Sequence, residues 1–302
     1  MKRILPSLML FLIVLALILT GCSPLSTSQP PTPTPMPSGK VDVGGHALYY
    51  ECSGQGSPTV ILEAGGGADS TCWAAVVAGL KGTTRVCTYD RANLGRSDQV
   101  RGTRTYRDLT RDLQVLLEKA HIGGPYVLVG WSMGGMLVRI FAGQHPAEVV
   151  GMVLVDSAHP DMGLRLLSCL PPESAGEPEN IRYLRRWFTW MSDSSKDAPL
   201  AEPEGLGDTR TSNQQARDVE SLGGLPLVVI SQAPNIPGLG FPITASPEIM
   251  ACLQQTWQDL QGELAGLSFN TTRLIARVGH MIPLEQPELI VQAITDLVEQ
   301  ER

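Results

Sequence analysis

Val127-Leu128-Val129-Gly130-Trp131-Ser132-Met133-Gly134-Gly135 is the stretch that decides how this 302-residue chain folds. An apolar run ends abruptly in Gly130-Trp131-Ser132-Met133-Gly134, a G-x-S-x-G, and Met136 to Ala142 continues with helical spacing. A serine on a sharp turn between a buried strand and a helix is pushed out of the backbone envelope with its hydroxyl exposed. Glycines on either side remove the Cβ atoms that such a tight turn cannot hold. The helix that follows aims free N–H groups and the positive end of its dipole at an oxyanion forming beside the serine. Ser132 is therefore the expected nucleophile.

Outward from this turn, apolar runs alternate with amphipathic segments. Strands are expected at 47–52, 59–63, 84–89, 126–129, 149–155, 226–230 and 272–275. Helices are expected at 73–80, 106–120, 135–144, 247–264 and 285–299. Continuous apolar strands separated by helices belong to the α/β class, with a mostly parallel central sheet flanked by helices on both faces. Ligands in such sheets bind beyond the C-terminal strand ends. Gly65–Gly67, Ser132, Asp156 and His280 all fall there. Residues 157–224 lack any strand pattern and carry two amphipathic pieces, 162–170 and 181–191. An insertion this long reads as a functional helical cap.

The N-terminal residues are read as targeting rather than fold. Lys2 and Arg3 precede an apolar stretch from Ile4 to Leu19, and Leu19-Thr20-Gly21-Cys22 follows. Small residues before a cysteine resemble the bacterial lipoprotein signal. Residues 1–21 are thus an expected signal peptide and Cys22 the lipidation site, and the stretch is short for a spanning helix. Residues 22–39, rich in Pro, Ser and Thr, form an extended tether. Residues 40–302 suffice for one large α/β domain. The expected location is the cell envelope, with the domain outside the cytoplasm and anchored to a bacterial membrane by lipid. A net charge of −7 without a basic cluster argues against nucleic acid as a partner. Cys52, Cys72, Cys87, Cys169 and Cys252 lack metal-ligand spacing. Export permits disulfides, the odd number leaves at least one thiol free, and the pairing stays open.

Ser132 needs a base and the base an orienting acid. His46 is read on an early strand, His121 and His145 at helix ends and His159 before a proline in the cap entry, whereas His280 follows the final strand behind Gly279, on a loop able to reach the turn. The chain order serine, acid, histidine leaves two places for the acid. The loop after the 226–230 strand holds no carboxylate, only Asn235. Asp156, at the end of a fully apolar run, is the expected acid; a turn-capping role for it, and Asp161 as the acid, remain alternatives. Backbone amides of Gly66 and Met133 are the expected oxyanion hole.

These residues together resemble the α/β-hydrolase superfamily, in its bacterial branch of proline-iminopeptidase-like and esterase-like serine hydrolases. Carrying the resemblance are Leu62 to Gly67, Tyr89-Asp90-Arg91-Ala92-Asn93-Leu94-Gly95-Arg96-Ser97-Asp98, the turn at 130–134, and Gly279-His280 with the helix after it. Two departures stand out. Ala64 occupies a place where many relatives have histidine, and many relatives carry the acid after the later strand. A serine at 132 argues against relatives that attack with a carboxylate. The resemblance implies cleavage of a small-molecule ester or amide through an acyl-enzyme, with no metal or cofactor, an ester being favoured over a peptide. Trp187, Phe188 and Trp190 are candidates for an acyl pocket or for plain cap core. Alternatives are an aminopeptidase using Glu173, Glu177 or Glu179 to hold an amine, an acyltransferase, and a non-catalytic surface binding protein.

Overall fold

The computed structural model describes residues 38–193, 207–234 and 245–301. The expected signal peptide, Cys22 and Asn235 lie outside the described residues. The described strands are β1 (Ser38–Asp42), β2 (Ala47–Ser53), β3 (Thr59–Glu63), β4 (Val86–Tyr89), β5 (Tyr126–Trp131), β6 (Val149–Val155), β7 (Leu227–Ser231) and β8 (Thr271–Ile275). They form one sheet in the order β1-β2-β4-β3-β5-β6-β7-β8. The β1–β2 and β2–β4 pairs are antiparallel, and every pair from β4 to β8 is parallel. The β1 strand was not expected. It pairs Ser38 with Glu51 and Gly39 with Tyr50, so the sheet begins before Lys40.

The period-2 alternation of β5 divides its side chains between two cores. Tyr126 and Leu128 join Ile61, Leu113, Leu116, Val138 and Phe141 on one face. That face is covered by α2 (Tyr106–Lys119) and α3 (Met133–Gln144). Val127, Val129 and Trp131 join Val60, Leu62, Val76, Leu80 and Ile294 on the other. It is covered by α1 (Ala74–Gly79) and α9 (Pro287–Gln300). Because both faces are covered, all residues of β3, β4, β5 and β7 are buried.

Between β6 and β7 lie only helices among the described residues: α4 (Met162–Leu167), α5 (Glu179–Ser192) and α6 (Thr209–Arg217). Leu166, Leu170, Ile181, Leu184 and Phe188 make a small core of their own. It is completed by Leu253 and Trp257 of α7 (Pro247–Ala265). Ser246 caps that helix through its side chain, and Pro247 opens it with a φ already suited to the first turn. Thr105 and Asp108 form a capping box at the start of α2.

Three local expectations need correction. The segment expected as one helix at 73–80 is a 3₁₀ turn, Ser70–Trp73, capped by the Asp69 side chain and followed by α1. The last expected helix begins later, at Pro287, behind a short α8 (Ile282–Glu285), since Gln286 leaves helical geometry. His46, placed on a strand by sequence, sits in the turn before β2 with its Nε2 at 2.9 Å from Asp112.

Candidate active site

Ser132 lies at the junction of β5 and α3 with φ 54° and ψ −123°. A side-chain-bearing residue at positive φ costs on the order of 1–3 kcal/mol and survives only where its surroundings enforce it. The enforcement comes from β6 and the residues after it. The Ser132 N–H donates to Val155 O at 3.1 Å, and its carbonyl accepts from Gly135 N at 3.0 Å and Ala158 N at 2.9 Å. The neighbouring glycines are required by close approach. A Cβ on Gly134 would lie 2.4 Å from Glu63 O, and one on Gly130 2.5 Å from Gly134 O.

Asp156 follows β6, with φ 39° and its N–H bonded to Ile230 O at 2.6 Å. Its carboxylate is fully buried. Oδ2 is 2.6 Å from His280 Nδ1. Oδ1 accepts from the Gln232 N–H at 2.9 Å and from the Trp257 Nε1–H at 2.8 Å. A carboxylate engaged in this way is an acceptor, so Nδ1 carries the proton of the neutral imidazole, the tautomer whose lone pair is on Nε2. His280 is further held by its carbonyl, which accepts from Trp131 Nε1 at 2.9 Å. Its ring lies 5.5 Å from that of Trp131, tilted, and 6.0 Å from that of Trp257, edge to face. The structure thus brings Asp156 to His280 at the strand ends that carry Ser132. Asp161, the alternative acid, is instead bonded to Arg217 Nε at 2.7 Å.

The glycine loop after β3 rests on a buried charge network. Arg91 Nη1 donates to Glu63 Oε1 at 2.6 Å and Ala64 O at 2.8 Å, and Nη2 donates to Gly65 O at 2.6 Å. The Tyr89 hydroxyl donates to the other Glu63 oxygen. Burial, with the Glu63 charge beside it, pushes the Tyr89 hydroxyl well above its usual pKa. Two loop carbonyls are thereby fixed on one guanidinium. Gly66 packs on Met133: a Cβ there would sit 3.5 Å from its Sδ. The two residues expected to supply oxyanion amides are neighbours.

The remaining candidates fall elsewhere. His159 accepts from Asp161 N at 3.1 Å, and burial holds its pKa down to about 4. Phe188 is cap core, and the Trp187 and Trp190 rings lie 5.3 Å apart. Glu177 is engaged by Arg185, Nη2 to Oε1 at 2.5 Å, and Glu179 by Arg182 at 2.7 Å. Cys52 pairs with Cys87 and Cys169 with Cys252, while Cys72 is unpaired, its thiol pushed up to about 12 by burial. Among the described residues no group of His, Cys, Asp and Glu is arranged to hold a metal ion.

Sequence reasoning missed the Glu63–Arg91 pair as a support, and it missed Trp131 and Trp257 as donors. For the first a signal existed: opposite charges stand just past apolar runs that become adjacent strands. For Trp257 none did, because a tryptophan on an amphipathic helix reads as packing.

Known proteins place this architecture. The model of the alpha/beta hydrolase family matches residues 60–293. The YqjL protein of Bacillus subtilis is 26% identical over 245 residues, 81% of this chain and 85% of YqjL. The efuK protein of Hormonema carpetanum, described as a transporter, is 37% identical over 139 residues; that is 42% of this chain but only 20% of efuK. The chain therefore spans a fifth of that relative's length. A thermophilic esterase of Thermogutta terrifontis superposes with TM-score 0.56 at 23% identity, covering 87% of this chain and 98% of the esterase. With the family match running from β3 into α9, across the serine turn, the Asp156–His280 pair and the sheet that carries them, the chain belongs to the alpha/beta hydrolase family.

Proposed function

We propose that the protein is a serine hydrolase that cleaves carboxylic esters of small molecules through an acyl-enzyme. The observation that carries this reading is the 2.6 Å contact of His280 Nδ1 with a buried Asp156 carboxylate at the edge where Ser132 stands on its strained turn. Ser132 Oγ attacks the ester carbonyl while His280 Nε2 takes its proton. Asp156 holds the imidazole in the tautomer that makes this possible and stabilises the imidazolium. The Met133 and Gly66 amides receive the charge that develops on the carbonyl oxygen. The imidazolium returns its proton to the departing alcohol. Water, activated by His280, then attacks the acyl carbonyl and frees Ser132.

An ester is favoured over a peptide because, of the three carboxylates expected to hold a substrate amine, Glu177 and Glu179 are occupied by Arg185 and Arg182 and Glu173 is exposed to solvent. The test is hydrolysis of p-nitrophenyl esters of increasing acyl length by wild type, Ser132→Ala, His280→Ala and Asp156→Asn. Loss of turnover in all three variants is expected. A wild type that cleaves aminoacyl anilides but no ester overturns the preference.

The Leu19-Thr20-Gly21-Cys22 segment supports export and lipid anchoring at Cys22. Labelled palmitate in the wild type, absent from Cys22→Ala, is the expected result; equal labelling of both refutes the anchor.

A further inference from the structure

Helix α7 joins the cap to the buried carboxylate. Its first half belongs to the cap: Leu253 and Trp257 complete the core of Leu166, Leu170, Ile181, Leu184 and Phe188. Cys252, beside Leu253, is disulfide-bonded to Cys169, just past α4. Its middle belongs to the acid. Trp257 Nε1 donates to Asp156 Oδ1 at 2.8 Å. Gln258 Nε2 donates at 3.0 Å to the carbonyl of Gln232, the residue whose own N–H holds Asp156 Oδ1. Gln261 Nε2 donates at 2.7 Å to the carbonyl of Ser157, the next residue after Asp156. Three side chains within two helical turns thus bind the acid, the residue after it and the residue whose N–H holds it, and the first is also a wall of the cap core.

We propose that Trp257 is a positioning residue that fixes the Asp156 carboxylate and makes its orientation toward His280 depend on how the cap sits on α7. The proposal rests on the serine-hydrolase reading above. Asp156 Oδ1 has two donors, one from a loop backbone and one from the cap-bearing helix. With both in place the carboxylate cannot rotate, and Oδ2 stays aimed at His280 Nδ1. Without the indole N–H, the buried oxygen loses a charge-assisted hydrogen bond and the carboxylate gains a torsional degree of freedom. A cap displaced from α7 removes the packing that holds the indole in place, because Trp257 is only 2% exposed and is packed among cap residues. The Cys169–Cys252 bond is the covalent clasp that limits this displacement.

The test compares full-length wild type, Trp257→Phe, Cys169→Ser/Cys252→Ser and the combined variant. Each is measured for kcat and KM on a p-nitrophenyl ester and by proton NMR for the low-field signal of the His280 Nδ1–H that Asp156 accepts. Trp257→Phe keeps an aromatic ring in the cap core and removes the donor. Its kcat is expected to fall about tenfold, with KM within twofold of wild type and the low-field signal displaced. The serine pair is expected to lower kcat in the wild-type background and to add nothing once Trp257 is Phe, the mark of one shared route. A Trp257→Phe protein with wild-type kcat and an unmoved signal overturns the positioning role. Equal effects of the serine pair in both backgrounds overturn the dependence on the cap. If Trp257→Phe does not fold, displacement of the signal by the serine pair alone supports the proposal, and its constancy refutes it. If the wild type hydrolyses no ester and takes up no fluorophosphonate, the hydrolase reading fails, and the low-field signal still decides whether Trp257 orients the pair.

Discussion

Replacing Asp156 by asparagine is expected to invert the proton placement on His280, and the structure dictates how. Asp156 Oδ1 is held by two donors, the Gln232 N–H and the Trp257 indole. In Asp156→Asn the amide oxygen must stay on those donors, since an NH₂ there would face two N–H groups. The amide nitrogen is then forced into the place of Oδ2, 2.6 Å from His280 Nδ1. A donor at that position compels Nδ1 to accept, so the imidazole proton moves to Nε2, where it can no longer receive the Ser132 proton. The wrong tautomer costs about 10⁴ in kcat in a serine protease with the same three groups, ~5 kcal/mol of transition-state stabilisation. We expect a loss of that order for ester hydrolysis, with KM nearly unchanged. The thermal midpoint should stay close to that of wild type, because every hydrogen bond at Oδ1 survives. The assay is initial-rate kinetics on a p-nitrophenyl ester, with circular-dichroism melting as the control for folding. A folded Asp156→Asn enzyme within tenfold of wild-type kcat refutes both the assigned acid and the tautomer reasoning.

Arg91→Leu removes the counter-charge of the buried Glu63 carboxylate beneath the glycine loop, leaving it the Tyr89 hydroxyl, and loss of one member of a buried pair costs about 3–5 kcal/mol. Urea unfolding checks this, and a loss below 1 kcal/mol contradicts it. Cys52→Ser/Cys87→Ser opens a cross-link between residues 35 apart on β2 and β4, worth about 4 kcal/mol in chain entropy. A fall of roughly 10 °C in the melting midpoint is expected, and an unchanged midpoint refutes it. His159 stays neutral in the folded protein with its pKa near 4, through burial and the nearby Arg139, against the opposing charges of Asp161 and Glu263. The unfolded chain takes up that proton first, so stability falls as pH drops from about 6.5 toward 4, by roughly 3 kcal/mol in all. His159→Gln should flatten that decline in urea midpoints measured across the interval. A decline of equal slope in the variant excludes His159 as its source.

The parallel sheet was legible because its central strands are buried on both faces and therefore read as unbroken apolar runs, as in Val127–Val129 and Val153–Val155. The edges were less so. Ser38–Asp42 alternates between exposed and half-buried residues and carries no apolar signature, so β1 stayed hidden. Ser132, His280 and Asp156 could be nominated because each sits at the end of a periodic segment where the chain must turn. Their supports could not, since Trp257 reaches Asp156 across 101 residues and Arg91 reaches Glu63 across 28. Contacts of that range follow from topology, which local patterns do not carry. The cysteine pairing was open for the same reason. Cys52 and Cys87 meet only because β2 and β4 are neighbours in the sheet.

The central claim is that Ser132 is an activated nucleophile, and covalent labelling tests it most directly. Full-length wild type, Ser132→Ala and His280→Ala are treated with a fluorophosphonate, and the adduct is located by peptide mass mapping. The account predicts one stoichiometric adduct on Ser132 in the wild type, none in Ser132→Ala, and strongly slowed labelling in His280→Ala. A folded wild type that takes up no label, or carries it on another residue, contradicts the account.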